Sequence, residues 1–95
     1  MIKDSQASAL AELFSAFSDA SRLKIISALV EGERNVSSIA EKAGLSESAT
    51  SHHLRGLRQM KLVRARKVGR QVFYSLLDDH VNQIFQIGKE HIHHG

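Results

Sequence analysis

Asp78, His80, His91 and His94 have the residue types and spacing of metal ligands. Imidazole nitrogens and carboxylate oxygens both bind borderline divalent ions. His80 and His91 are 11 residues apart. That is close to three helical turns, so a helix sets them on one face, about 16 Å apart along its axis. His94 follows His91 at i, i+3 on the same face. Asp78 falls where that helix would begin, in non-helical backbone that turns its carboxylate toward His80. The donors of one ion lie about 2 Å from it, so a single helix cannot bring both couples to one ion. Two antiparallel copies can, with Asp78 and His80 of one meeting His91 and His94 of the other at both ends. The spacing therefore predicts two symmetric sites per dimer, each with three nitrogens and one oxygen. Zn(II) suits that set, and Co(II) is chemically acceptable. The plain alternative is a frayed polar tail. The phase match and the capping carboxylate together argue against it.

Cysteine is absent. That excludes disulfides, thiol redox sensing, Cys-type zinc fingers and a cysteine nucleophile. With four protein ligands the metal site would be closed, whereas a hydrolytic zinc keeps an open position, and no other nucleophile–base arrangement is visible. The sequence thus argues against an enzyme. It has no apolar run long enough to span a bilayer and no signal-peptide layout, so a cytoplasmic protein is expected.

A helix must carry the ligands, and the chain supplies one. Asp78 or Asp79 caps a last helix to about His93, with Val81, Ile84, Phe85, Gly88 and Ile92 as an apolar stripe beside the ligands. His93 points to the opposite side. Four helices are expected before it. The first runs from about Ser5 to Phe17 on the stripe Leu10, Leu13, Phe14 and Phe17. The second is capped by Asp19 and stops near Gly32. The third is short, capped by Asn35 and closed by Gly44. The fourth is capped by Ser46 and runs to about Met60. After Leu62 the period changes from helical to alternating. Val63, Ala65 and Lys67 lead into a Gly69-Arg70 turn, and Val72, Tyr74 and Leu76 lead out. The expected fold is mainly α with a small β-hairpin: a winged helix-turn-helix in one domain, residues 1–95, with dimerisation helices at both ends.

Charge is distributed unevenly along this framework. Seven of the 13 basic residues lie between Arg55 and Arg70, and no acid occurs from Ser48 to Leu77. That is an electrostatic footprint for an anionic polymer. The fourth helix carries Ser48, Ser51, His52 and Arg55 at i, i+3, i+4 and i+7, a polar stripe able to approach base edges. Ala49, His53, Leu57 and Met60 form the stripe expected to pack inward. Ser46, at the helix N-terminus, sits where a phosphate is favoured. Arg55, Arg58, Lys67 and Arg70 are expected on phosphates, with Arg70 able to enter a minor groove from the wing tip. Double-stranded DNA is the expected partner.

These segments resemble the ArsR/SmtB family of metal-sensing repressors over nearly the whole chain. The resemblance lies in FSDASRLKIISAL, NVSSIAEKAGLSESATSHHLRGL, RKVGRQVFYSL and the pattern Asp78-x-His80-x10-His91-x2-His94. The last part is similar to the C-terminal-helix site of the zinc/cobalt sensors. It implies a homodimer that binds a palindromic operator when metal-free and releases it on binding Zn(II) or Co(II), controlling metal efflux or sequestration genes. It also implies Ser48, Ser51 and His52 as major-groove positions, and the loop near Lys61 as an acceptor for His91. Glu47 departs from a purely basic reading helix. A winged-helix regulator that is constitutive, or answers a non-metal signal, is the alternative.

Overall fold

A computed structural model describes residues 1–94, with the side chain of His94 outside the described part. In chain order the elements are α1 (Asp4–Ser15), α2 (Ala20–Val30), β1 (Arg34–Asn35), α3 (Val36–Ala43), α4 (Glu47–Gln59), β2 (Val63–Val68), β3 (Gln71–Leu76) and α5 (Asp79–His94). The fold is a mainly helical winged helix-turn-helix with a three-stranded antiparallel wing in the order β1-β3-β2.

Capping chemistry fixes most boundaries. The Asp19 carboxylate accepts from the Ser21 N–H at 3.2 Å, the Asn35 side-chain amide oxygen from the Ser38 N–H at 2.9 Å, and the Ser46 hydroxyl from the Ala49 N–H at 3.1 Å. Gly44 ends α3 with φ 68°. The Leu45 N–H reaches back to the Ala40 carbonyl at 3.0 Å, which makes a Schellman end. At the end of α4 the same pattern recurs without glycine. Lys61 has φ 60°, its N–H donates to Arg58, and Leu62 donates to Leu57 at 2.9 Å.

The core lies where α2, α3 and α4 meet the wing. Ile25, Ile26, Ile39, Leu54 and Leu57 are fully buried, and Val63 is 2% exposed. On the hairpin, Val63 pairs with Leu76 and Ala65 with Tyr74, and the expected alternation holds over this inner part, while Lys67 is exposed. Gly69, with φ 62°, takes the first place in the two-residue turn, where a type II′ hairpin requires positive φ.

Three features depart from the sequence reading. Strand β1 was not expected. It is only two residues long, Arg34 pairing with Tyr74 and Asn35 with Phe73, which is too short for a periodic signal. Helix α1 stops at Ser15 rather than Phe17. Its last carbonyls are taken by Arg22, which donates to Ser15 at 2.9 Å and Ala16 at 3.1 Å. The inward face of α4 is centred on Thr50, Leu54 and Leu57, with Ala49, His53 and Met60 half-buried at its flanks. Thr50 is accommodated because its hydroxyl donates to the Ser46 carbonyl at 2.8 Å.

Candidate nucleic-acid interface and metal centre

Helix α4 turns its other side to solvent. Ser46, Ser48, His52 and Arg55 are exposed, and Ser51 is half-buried at the edge of the core. The Ser46 hydroxyl is committed to capping and lies 3.4 Å from that of Ser48. Ser46 thus orients the start of the helix while Ser48 and His52 present groups outward. His53 is half-buried, with its Nδ1 4.0 Å from Asp19 Oδ2, beyond hydrogen-bond reach. It packs where α2 begins and does not stand on the polar stripe.

The basic stretch divides into two sets. Lys67 and Arg70 stand exposed at the hairpin end, as expected for the wing tip. Arg66 instead forms a bidentate pair with Glu33, at 2.6 and 3.2 Å. The hydrogen bond from Arg66 holds the Glu33 carboxyl below its usual value, and Glu33 in turn raises that of Arg66. Arg64 donates to the Leu77 carbonyl. Two of the seven cations therefore brace the wing against its own protein. Sequence reasoning did not separate them, because both partners lie far off along the chain.

The wing is also tied to the helix-turn-helix at Asn35. While its carbonyl caps α3, its amide donates to the Gln71 side chain at 2.8 Å. Strand β1 thereby fixes the angle between the α3–α4 pair and the hairpin.

At the other end of the fold, Asp78 caps α5, its Oδ1 accepting from the His80 N–H at 3.0 Å. The same oxygen lies 3.5 Å from His80 Nδ1. Two donors of a tetrahedral zinc, each about 2 Å from the ion, stand about 3.3 Å apart, so this couple has the chemistry and spacing of one edge of such a site. Both side chains are open to solvent, His80 at 84% and Asp78 at 49%. His91 is exposed in the last turns of the same helix. The side chain of His94 lies outside the described residues. Among the described residues no three histidines or acids of one chain converge. The couples stand at opposite ends of a 16-residue helix.

The surface beside them is apolar. A groove of about 850 Å³ runs between α1 and α5, lined by Phe14, Phe17, Leu23, Phe85 and Ile92 among others. Helix α1 buries no residue. Phe14 is 53% exposed, Ile87 67% and Ile92 75%. Ile87 gives no signal in the sequence, because it lies off the stripe that begins at Val81. It follows His80 by seven residues and precedes His91 by four, which places it within about 40° of both, on the ligand face itself. No described helix is long and apolar enough to cross a membrane.

Residues 19–65 match the model for "Bacterial regulatory protein, arsR family". The chain is 47% identical over 87 residues to a transcriptional repressor SmtB homolog of Synechocystis, covering 92% of this chain and 66% of that protein. It is 42% identical over 96 residues to the HTH-type transcriptional regulator NmtR of Mycobacterium tuberculosis, covering 97% of this chain and 80% of NmtR. The chain belongs to the arsR family. That is a family of transcriptional regulators, not of enzymes. Among solved structures, NolR of Sinorhizobium fredii superposes with a TM-score of 0.84 at 34% identity, over 95% of this chain and 93% of that one. A homodimeric winged helix-turn-helix DNA-binding domain, Mb0332 of Mycobacterium bovis, superposes at 0.83 and 29% identity, over 99% and 94%. The chain spans about two thirds of the Synechocystis relative's length.

Proposed function

We propose that this arsR-family chain is a homodimeric, metal-responsive repressor. In this reading it binds operator DNA when metal-free and leaves it on binding Zn(II), or Co(II), so controlling genes for metal efflux or sequestration. The observation that carries the metal reading is the Asp78–His80 couple, its donors one tetrahedral edge apart, on the same face of α5 as His91. The exposed apolar surface of α1 and α5 supports a second copy as the missing half. So does the homodimeric state of the Mb0332 domain.

The ligand spacing fixes a register for that pair. Antiparallel helices that match residue 80 to 91 have their two-fold axis between residues 85 and 86. Ile84 and Ile87 are symmetric about the same point, so Ile84 of one protomer packs against the partner's Ile87. Gly88, one residue on, lets the backbones approach.

Asp78, His80, His91 and His94 would hold the ion, two from each protomer, at both ends of the pair. A bound zinc supplies a closed four-ligand cross-link, with no open position for hydrolysis. The chain's own residues do the rest. Ser48, Ser51 and His52 face the major groove, and Ser46 sets the helix N-terminus against a phosphate. Arg55, Lys67 and Arg70 contact the backbone. The two reading helices are carried on the α1–α5 frame, so the geometry of that frame sets their spacing along the duplex.

The test is operator binding by the whole chain, using duplexes selected from a randomised pool with metal-free protein, with and without zinc. Zinc is expected to weaken binding, and His91→Ala to remove that response. A His91→Ala variant that still releases DNA on adding zinc would remove these ligands from the sensing role. Likeness to NolR, whose relative in Rhizobium meliloti is a nodulation protein, favours a second reading: an arsR-family regulator that answers no metal. It predicts equal DNA affinity at all zinc concentrations.

A further inference from the structure

The residue before Asp78 is held on both sides. The Leu77 N–H donates to the Leu62 carbonyl at 2.9 Å, and the Leu77 carbonyl accepts from the Arg64 guanidinium. Leu62 is where the reading helix ends. Its own N–H closes the last turn of α4 on Leu57, next to the left-handed Lys61. Arg64 is the second residue of β2. The segment that leaves the reading helix and enters the wing is thus bonded twice to one residue, and that residue adjoins a proposed ligand.

The geometry makes this attachment direct. The Leu77 carbonyl and the Asp78 nitrogen and Cα share one rigid peptide plane. A backbone rotation that re-aims the Asp78 carboxylate tilts that plane, and the carbonyl oxygen moves with it. Asp78 already has a competing task, since Oδ1 caps α5 through the His80 N–H. Any ligand that draws the carboxylate away must either break that cap or turn the plane. The Arg64 guanidinium is the side chain that meets the carbonyl, through a charge-assisted bond to a neutral acceptor. Arg66, two residues on, is satisfied by the Glu33 carboxylate instead.

We propose that Arg64 is a positioning residue that couples the Asp78 end of α5 to the wing and to the end of the reading helix. It acts through the Leu77 peptide. The proposal rests on the reading of Asp78 as a metal ligand, and it assigns the intrachain route by which the state of Asp78 reaches the DNA-binding elements.

The test uses the full chain with zinc ion as the probe, comparing wild type, Arg64→Ala, Arg64→Lys and Asp78→Ala. Zinc affinity is measured without DNA, and DNA affinity with and without zinc. Removing a wing cation weakens DNA binding in both states alike, so the with/without ratio isolates the coupling. Arg64→Ala is expected to keep its zinc affinity within about two-fold and to lose about five-fold or more of that ratio, against the usual range for allosteric coupling. Arg64→Lys, which keeps one donor, is expected to restore part of it. Amide hydrogen exchange gives a readout independent of DNA. Zinc is expected to change protection across residues 61–66 in wild type and not in Arg64→Ala. An Arg64→Ala protein with the full wild-type ratio overturns the proposal, as does unchanged zinc-dependent exchange. Failure of the underlying metal reading looks different: Asp78→Ala then binds zinc as wild type does, or wild type itself shows no zinc response, and both ideas fall together.

Discussion

Helices α4 and α5 are both amphipathic, yet one chain completes only the first. Thr50, Leu54 and Leu57 of α4 are fully buried, and their polar atoms are satisfied. On α5, Val81 is 4% exposed while Ile87 and Ile92 remain at 67% and 75%. The same kind of apolar surface serves intramolecular packing in one helix and stays exposed in the other. On the proposed reading, the difference separates what folds the protein from what assembles and regulates it. Substitutions in α4 should act on the stability of the chain, and those in α5 on association.

The sharpest break is at Ile87. Replacing it by aspartate removes about 1.5–3 kcal/mol of apolar burial at each of two symmetric positions. The dimer dissociation constant is expected to rise at least about 100-fold in sedimentation equilibrium, with the helical circular-dichroism spectrum retained. Leu54→Ala should do the converse. A buried leucine truncated to alanine costs about 2–5 kcal/mol, to be read in denaturant melts as a loss that persists when protein concentration is raised.

Smaller effects test the division among the cations. Arg70→Ala should reduce the slope of log affinity against log salt by about 0.9 for each copy in contact with DNA. Arg66→Gln, removing a cation already held by Glu33, should leave that slope unchanged. Lys61→Gly relieves a left-handed backbone at a helix end and is expected to raise stability by about 1 kcal/mol in urea melts. The smallest effect is at Glu33. Its folded carboxyl titrates below the usual value because of the Arg66 hydrogen bond. The stabilisation is therefore complete above the ordinary carboxylate range and is lost as pH falls through the lowered value. Glu33→Gln should flatten the acid limb of a stability–pH profile by lowering stability slightly at neutral pH while leaving it unchanged in acid.

Local chemistry made much of this fold legible in advance. Asp19, Asn35 and Ser46 announce helix starts because their side chains bond the backbone two or three residues on. Gly44 announces an end because αL favours it. The hairpin follows from alternation and a glycine turn. What stayed hidden depends on long separations or on absent partners. Strand β1 exists only because β3 lies beside it, the Arg66–Glu33 pair spans 33 residues, and Lys61 takes a conformation usually given to glycine. Of the candidate sites, the exposed stripe of α4 and the Asp78–His80 couple were readable from period and capping. Ile87 was not, since its role depends on a surface that one chain leaves open.

The amide of Asn35 spends its oxygen on the start of α3 and its nitrogen on Gln71 of the wing. Few replacements can serve both. Aspartate retains the acceptor and forfeits the donor, while serine can cap the helix but is too short to reach across. Hydrolysis of this amide to aspartate would keep the acceptor at the helix start and oblige the Gln71 amide to turn and donate instead, so that chemical ageing here rewires the side-chain tie to the wing while the β1–β3 pairing holds.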